Sequence, residues 1–254
     1  MVRVADSNRW GLPSVQRGGS GTTSGAKNAP RCRTDSATAR RQRLVAAAAL
    51  TGTGLLGASL STEADSTEFY ALTFAVAGTW LVGGLGSGPF HLHSPRTDNR
   101  SFGRLAIVPV LTGALAFGAF FGAAIVARRI PILNEALASV LSYADRGSDP
   151  WVLVTTLANG VAEEVFFRGA LFSALGVHSP VPLSTAVYML TTSATRNPAL
   201  VLAAGVMGSL FAVQRRASGG ILAPILTHVT WSALMLRYVP SLFRGPASSD
   251  GPTR

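Results

Sequence analysis

The sequence predicts an all-α fold, a polytopic transmembrane helical bundle of about seven to eight membrane segments. Three observations predict it. Hydrophobic residues make up 48% of the 254 residues and charged residues only 13%, whereas a soluble domain carries about 25% charged residues. The mean hydropathy is +0.33. The apolar residues gather in runs, and a run of roughly twenty is what a helix needs to cross hydrocarbon. A single cysteine, Cys32, excludes a disulfide scaffold, and the apolar content excludes full disorder.

Residues 1–43 hold nine basic residues against Asp6 and Asp35, so +7 of the net charge of +10 lies there. This Gly/Ser/Thr-rich stretch reads as a disordered cytoplasmic tail. No aromatic stacking platform accompanies its arginines, so nucleic acid is not the expected partner. Anionic lipid headgroups are.

Residues 44–150 read as N-terminal transmembrane helices with an interfacial segment. Leu44–Leu60, Phe69–Phe90 and Leu105–Ala127 are the expected spans, while Ile130–Tyr143 carries Asn134 and Glu135 and reads as interfacial or re-entrant. Residues 151–237 read as a compact helical bundle. It opens with Trp151–Val177, which contains charges, and continues through the short segments Val181–Ser193, Ala199–Val213 and Gly219–Leu236. Residues 238–254 read as a disordered C-terminal tail. Glycines four apart, Gly84/Gly88 and Gly118/Gly122, predict close helix approach.

Loop charges predict orientation. The basic tail places the N-terminus in the cytoplasm, and the acidic loop Ser61–Glu68 faces out. Arg96, Arg100 and Arg104 return the chain inside, and Arg215 and Arg216 mark another cytoplasmic loop. Arg128 and Arg129 conflict with this scheme. Arginine far outnumbers lysine, which fits a GC-rich bacterial genome and a bacterial plasma membrane.

The chemistry concentrates in Val161–Phe172, where two adjacent carboxylates and an arginine interrupt an apolar segment. A charge at membrane depth costs about 2.5–3.5 kcal/mol on insertion scales, so it must be paired or face a wet cavity. Glu164 and Arg168 stand i,i+4 on a helix, with the acid on the favourable N-terminal side. Glu163 points about 100° away, and its i+3 and i+4 neighbours are Phe166 and Phe167. Glu164 therefore reads as an ion-pair partner and Glu163 as an unpaired carboxylate in a low-dielectric pocket, the setting of a general base. The alternative is that both acids share Arg168 as a structural cluster. His228 is the one histidine inside a late apolar segment, where it is costly unless a carboxylate is near.

Glu163-Glu164-x-x-x-Arg168-Gly169, followed by Gly219-Gly-Ile-Leu-Ala-Pro-Ile-Leu-Thr-His228, resembles the CPBP family. That family includes the type II CAAX prenyl endopeptidases and the bacterial Abi/bacteriocin-immunity proteins. The resemblance spans roughly Trp151 to Leu236. Its first motif, EExxxR, is matched fully. Its second, FxxxH, meets Tyr188-Met-Leu-Thr-Thr192, with Thr192 where a histidine is expected. Its third, HxxxN, meets His228-Val-Thr-Trp-Ser232, with Ser232 in place of asparagine.

The resemblance implies an integral membrane endopeptidase acting on a peptide or lipidated peptide. Glu163 and His228 would be catalytic, with Glu164, Arg168, Thr192 and Ser232 supporting. Thr192 and Ser232 can donate a hydrogen bond but carry no charge, and losing one oxyanion donor typically costs ~10²–10³ in rate. The alternative is a weakened or inactive membrane protein of the same fold, acting in immunity or as a scaffold. No cofactor is required. If zinc binds, Glu163, Glu164 and His228 are its expected ligands, although Arg168 competes for Glu164 and no HExxH is present.

Overall fold

The computed structural model of the chain describes residues 29–88, 91–92, 102–146, 149–176 and 179–243. Of the predicted tails 1–43 and 238–254, residues 1–28 and 244–254 lie outside the described residues, as do the arginine-bearing loop 93–101 and His178. Two units are distinguished, Met1–Ser36 and Ala37–Arg254. Of the first, the helical backbone of residues 29–36 is described. All contacts given below lie within the second.

Among the described residues every regular element is a helix, with no strand. The helices are α1 (Ala29–Ser59), α2 (Thr67–Gly86), α3 (Phe102–Ala127), α4 (Pro131–Arg146) and α5 (Asp149–Glu163). A π-helical segment, Glu164–Leu171, continues α5 directly into α6 (Phe172–Ala174). Then follow α7 (Pro180–Thr192), α8 (Pro198–Ser218) and α9 (Leu222–Tyr238). The all-α bundle is as the apolar runs predict. α1 starts at Ala29 and so reaches upstream of Leu44 into the basic stretch. Thr67–Gly86, Leu105–Ala127 and Pro198–Ser218 are long and apolar enough to cross a membrane. The other helices are shorter or interrupted by charge.

Local chemistry sets the ends of these helices. Ser66 caps α2 by accepting the amide of Phe69, and Asn197 caps α8 by accepting that of Leu200, each satisfying an orphan donor. Asn197 also donates to the Ala136 carbonyl at 2.7 Å, tying α4 to the start of α8. Gly219 ends α8 in the left-handed region, at φ +70°, with its amide on the Arg215 carbonyl, a conformation glycine adopts without strain. The amides of Ile221 and Leu222 donate to the carbonyls of His91 and Leu92, so the entry to α9 is held by the chain that follows α2.

The core sits where α1 and α2 meet the π-helical segment. Val45, Val76, Ala77, Trp80, Ala162, Phe166, Phe167 and Leu171 form one buried cluster. The Trp80 ring lies 4.7 Å from Phe166 and 5.2 Å from Phe167. α1 can approach that ring because Gly52 has no side chain; a Cβ there would stand 2.3 Å from the Trp80 ring. Gly84 likewise admits Val165.

The predicted glycine contact at Gly118/Gly122 is corrected: a Cβ at either position would meet nothing within 4 Å. α3 approaches its neighbour one turn earlier instead, at Gly113, against the Thr227 carbonyl and Thr230 of α9. The Thr227 hydroxyl donates to the Pro109 carbonyl of α3 and accepts from Gln214 of α8. Three helices are thereby pinned beside His228. Outward, Ile107, Val108, Leu111, Leu115 and Val126 stand exposed along α3, an apolar surface of the kind lipid covers.

Gly52→Ala should destabilise the fold by about 1–3 kcal/mol through overpacking against the buried Trp80 ring. Gly118→Ala should leave stability unchanged or slightly raised. Thermal unfolding of the detergent-solubilised protein checks the pair, and equal shifts for both would contradict this packing.

Candidate active site

Eight helices, α1 to α5 and α7 to α9, contribute to one cavity of about 380 Å³, within the range usual for ligand sites. Its walls are mostly apolar and include Phe120 of α3, Leu137, Val140 and Leu141 of α4, Met207 of α8 and Met235 of α9. Its polar lining includes Glu163 and Asn159 of α5, Tyr188 and Thr192 of α7, and His228 and Ser232 of α9. The i,i+4 pairs 159/163, 188/192 and 228/232 each share one helix face.

Glu164 and Arg168 do not line this cavity. They lie behind its wall, both with 0% exposure, and Arg168 Nη1 donates to Glu164 Oε1 at 3.2 Å. Arg168 Nη2 donates to the Gly208 carbonyl at 3.0 Å. Its guanidinium stands 4.7 Å from the Tyr188 ring centroid and 5.1 Å from that of Phe211. One buried cation therefore joins the π-helical segment to α7 and α8. The wide turn has its own support, because Arg215 Nε donates to the Arg168 carbonyl at 2.8 Å. π-turns inside helices often mark functional sites, and all eight residues of this one are buried.

Glu164 has a second partner. His228 Nδ1 stands 2.9 Å from Glu164 Oε1. A carboxylate bonded to arginine only accepts, so Nδ1 carries the proton, and in the neutral imidazole Nε2 is then the acceptor. The imidazole is stacked on Phe211 at 4.7 Å and 21°. Gly160 gives it room against α5: a Cβ there would lie 3.4 Å from Cδ2 and 3.5 Å from Nε2. Gly160 and Glu163 are i,i+3 on one face of α5, so Nε2 is directed to the face that carries Glu163.

Two sequence expectations are corrected by this geometry. Glu163 is not unpaired: its Oε2 accepts from the Tyr188 hydroxyl at 2.6 Å. Glu164 is more than an ion-pair partner of Arg168, because it also holds His228. Thr192 does stand at the cavity, but its hydroxyl donates to the Tyr188 carbonyl at 2.8 Å, so its proton is already in use. Ser232 is buried and lines the cavity.

Sequence reasoning missed Tyr188 as the partner of Glu163 and Phe211 as the support of the imidazole. The signal for Tyr188 was available, since a buried tyrosine hydroxyl on an apolar helix needs a hydrogen-bond partner. Phe211 had none; it is one apolar residue among many on α8.

The donor set does not fit a three-ligand zinc site. Among the described residues no three His, Cys, Asp or Glu side chains are arranged to hold a metal. Glu163 is bonded to Tyr188, while Glu164 Oε1 is shared by Arg168 and His228.

Removing Arg168 leaves Glu164 buried without its cation, and breaking a buried pair costs about 3–5 kcal/mol. Arg168→Ala should therefore lower membrane yield and melting temperature sharply. Wild-type yield and melting in that variant would show that the pair carries no structural weight.

Residues 147–234 match the family model described as type II CAAX prenyl endopeptidase Rce1-like. That stretch contains the polar side chains of the cavity named above, from Asn159 to Ser232. No curated protein and no solved structure matches the chain. The match, together with the apolar helices, points to an integral membrane protein. From 147 to 234 the chain is thus similar to the Rce1-like type II CAAX prenyl endopeptidases, and the CPBP resemblance carried by its two motifs is supported over the same residues.

Proposed function

We propose that this protein is an integral membrane endopeptidase of the CAAX type, hydrolysing a peptide bond in the cavity with Glu163 as general base and His228 beside it. One observation carries the reading. Glu163 and His228 line the same apolar-walled cavity, and Glu164 holds the imidazole so that Nε2 is the free acceptor.

In this reading a water donates one hydrogen bond to His228 Nε2 and is deprotonated by Glu163. Its oxygen adds to the scissile carbonyl, and the proton held by Glu163 passes to the leaving amine as the C–N bond breaks. Glu164 does not touch the reacting atoms. It orients the imidazole and fixes its proton on Nδ1, the part a carboxylate plays behind a catalytic histidine. Ser232, one turn from His228 on the same helix face, offers a hydroxyl to the oxyanion, while Thr192 spends its proton on its own helix. The apolar walls favour a peptide that brings a lipid chain with it.

Residues 151–237 form the hydrolytic bundle in this reading, and the helices of 44–150 shield it from lipid. The N-terminal +7 charge favours a cytoplasmic N-terminus in a bacterial plasma membrane.

Replacing Glu163 by Gln should lower turnover of a farnesylated CAAX peptide by about 10²–10⁴-fold in membranes carrying normal amounts of the protein. Undiminished turnover would remove Glu163 from the chemistry and leave the non-catalytic reading, in immunity or as a scaffold.

A further inference from the structure

α7 presents a series of hydroxyls, and nearly all are committed to its own backbone. Ser184 donates to the Val181 carbonyl, Thr191 and Thr192 to that of Tyr188, and Ser193 to that of Leu190. Thr185 has no partner among the described residues and does not line the cavity. Tyr188 alone on this helix reaches across to another side chain. Its hydroxyl donates to Glu163 Oε2 at 2.6 Å, inside the cavity. That distance is at the close end of the O–H···O range.

The ring that carries this hydroxyl is held on several sides. The Arg168 guanidinium stands 4.7 Å from its centroid, and the Phe167 ring lies 4.7 Å away at 58°. Gly208 leaves the space the ring needs: a Cβ there would come within 3.0 Å of Tyr188 Cδ1. A tyrosine has only two soft side-chain torsions, so a ring fixed in this way fixes its hydroxyl too. The same Arg168 that clamps the ring also bonds Glu164, which holds His228. Both polar arms of the cavity therefore hang from one buried guanidinium.

We propose that Tyr188 is a positioning residue for Glu163. Its hydroxyl occupies Oε2 and so selects the carboxylate rotamer that leaves Oε1 to meet water. This rests on the hydrolytic reading above and deepens it. A carboxylate free to rotate would spend most of its time out of line with the water, and a misplacement of about 1 Å can cost ~10²-fold in rate.

The test is Tyr188→Phe, which keeps the ring, its contact with Phe167 and its place beside Arg168, and removes only the hydroxyl. Full-length protein in membranes is assayed on the farnesylated CAAX peptide, alone and combined with Glu163→Gln. The expected result is a kcat lowered about 10²-fold with KM unchanged, at normal membrane level and melting temperature. In the Glu163→Gln background the same change should cost nothing further, because there is no longer a carboxylate to aim. A merely structural tyrosine would instead lower yield and leave kcat alone. Wild-type kcat in Tyr188→Phe, with Glu163→Gln inactive, would overturn the assignment of Tyr188 and leave the hydrolytic reading standing. Losses that multiply in the double variant would show Tyr188 acting independently of Glu163 and overturn it as well. No cleavage by the unaltered protein, or full cleavage by Glu163→Gln, would overturn the hydrolytic reading and this inference with it.

Discussion

A buried guanidinium is the constraint on which the rest of this structure depends. Arg168 has no exposure and cannot lose its proton, so the fold must supply acceptors around it. It does so from three elements: a carboxylate from its own π-turn, a carbonyl from α8 and aromatic faces from α7 and α8. Each of these contacts fixes something else. The carboxylate holds the imidazole of α9, the carbonyl belongs to a glycine that seats the Tyr188 ring, and Phe211 stacks on that same imidazole. Polar groups in an apolar bundle are costly one at a time and rigid where they bond one another; in this network Arg168 Nε and Glu164 Oε2 have no partner among the described residues. Here the rigidity is delivered to the side chains that line the cavity.

This arrangement divides two adjacent acids between two tasks. Glu164 lies behind the cavity wall, and its Oε1 is shared by Arg168 and His228. Glu163 faces into it and keeps one oxygen free of the Tyr188 bond. One residue of helical rotation separates a structural carboxylate from a reactive one. The π-helical register begins at Glu164, so the widened turn starts where the two roles part.

Much of the helical layout was legible in the sequence, because apolar run lengths and breaker residues carry it. Phe69–Phe90 became Thr67–Gly86, and Val181–Ser193 became Pro180–Thr192. The Glu164–Arg168 bond was legible from i,i+4 spacing alone. What was not legible came from contacts between elements. Nothing in the spacing shows that His228, 64 residues on, meets Glu164. Strict 3.6-residue periodicity cannot announce a π-turn, and glycine spacing could not separate Gly84, which seats Val165, from Gly118, which faces open space. Thr192 illustrates the limit well. Its position at the cavity follows from motif alignment, but its hydroxyl is claimed by its own helix, and that is a matter of rotamer.

The central claim is that Glu163 and His228 act on one water as a unit. A double-mutant cycle on turnover measures this directly, with Glu163→Gln and His228→Ala assayed singly and together. Residues that serve one step are strongly non-additive. If the two side chains share one water, the double variant is no slower than the slower single variant. Losses that multiply would mean the two side chains serve separate purposes, and the shared-water mechanism would be wrong.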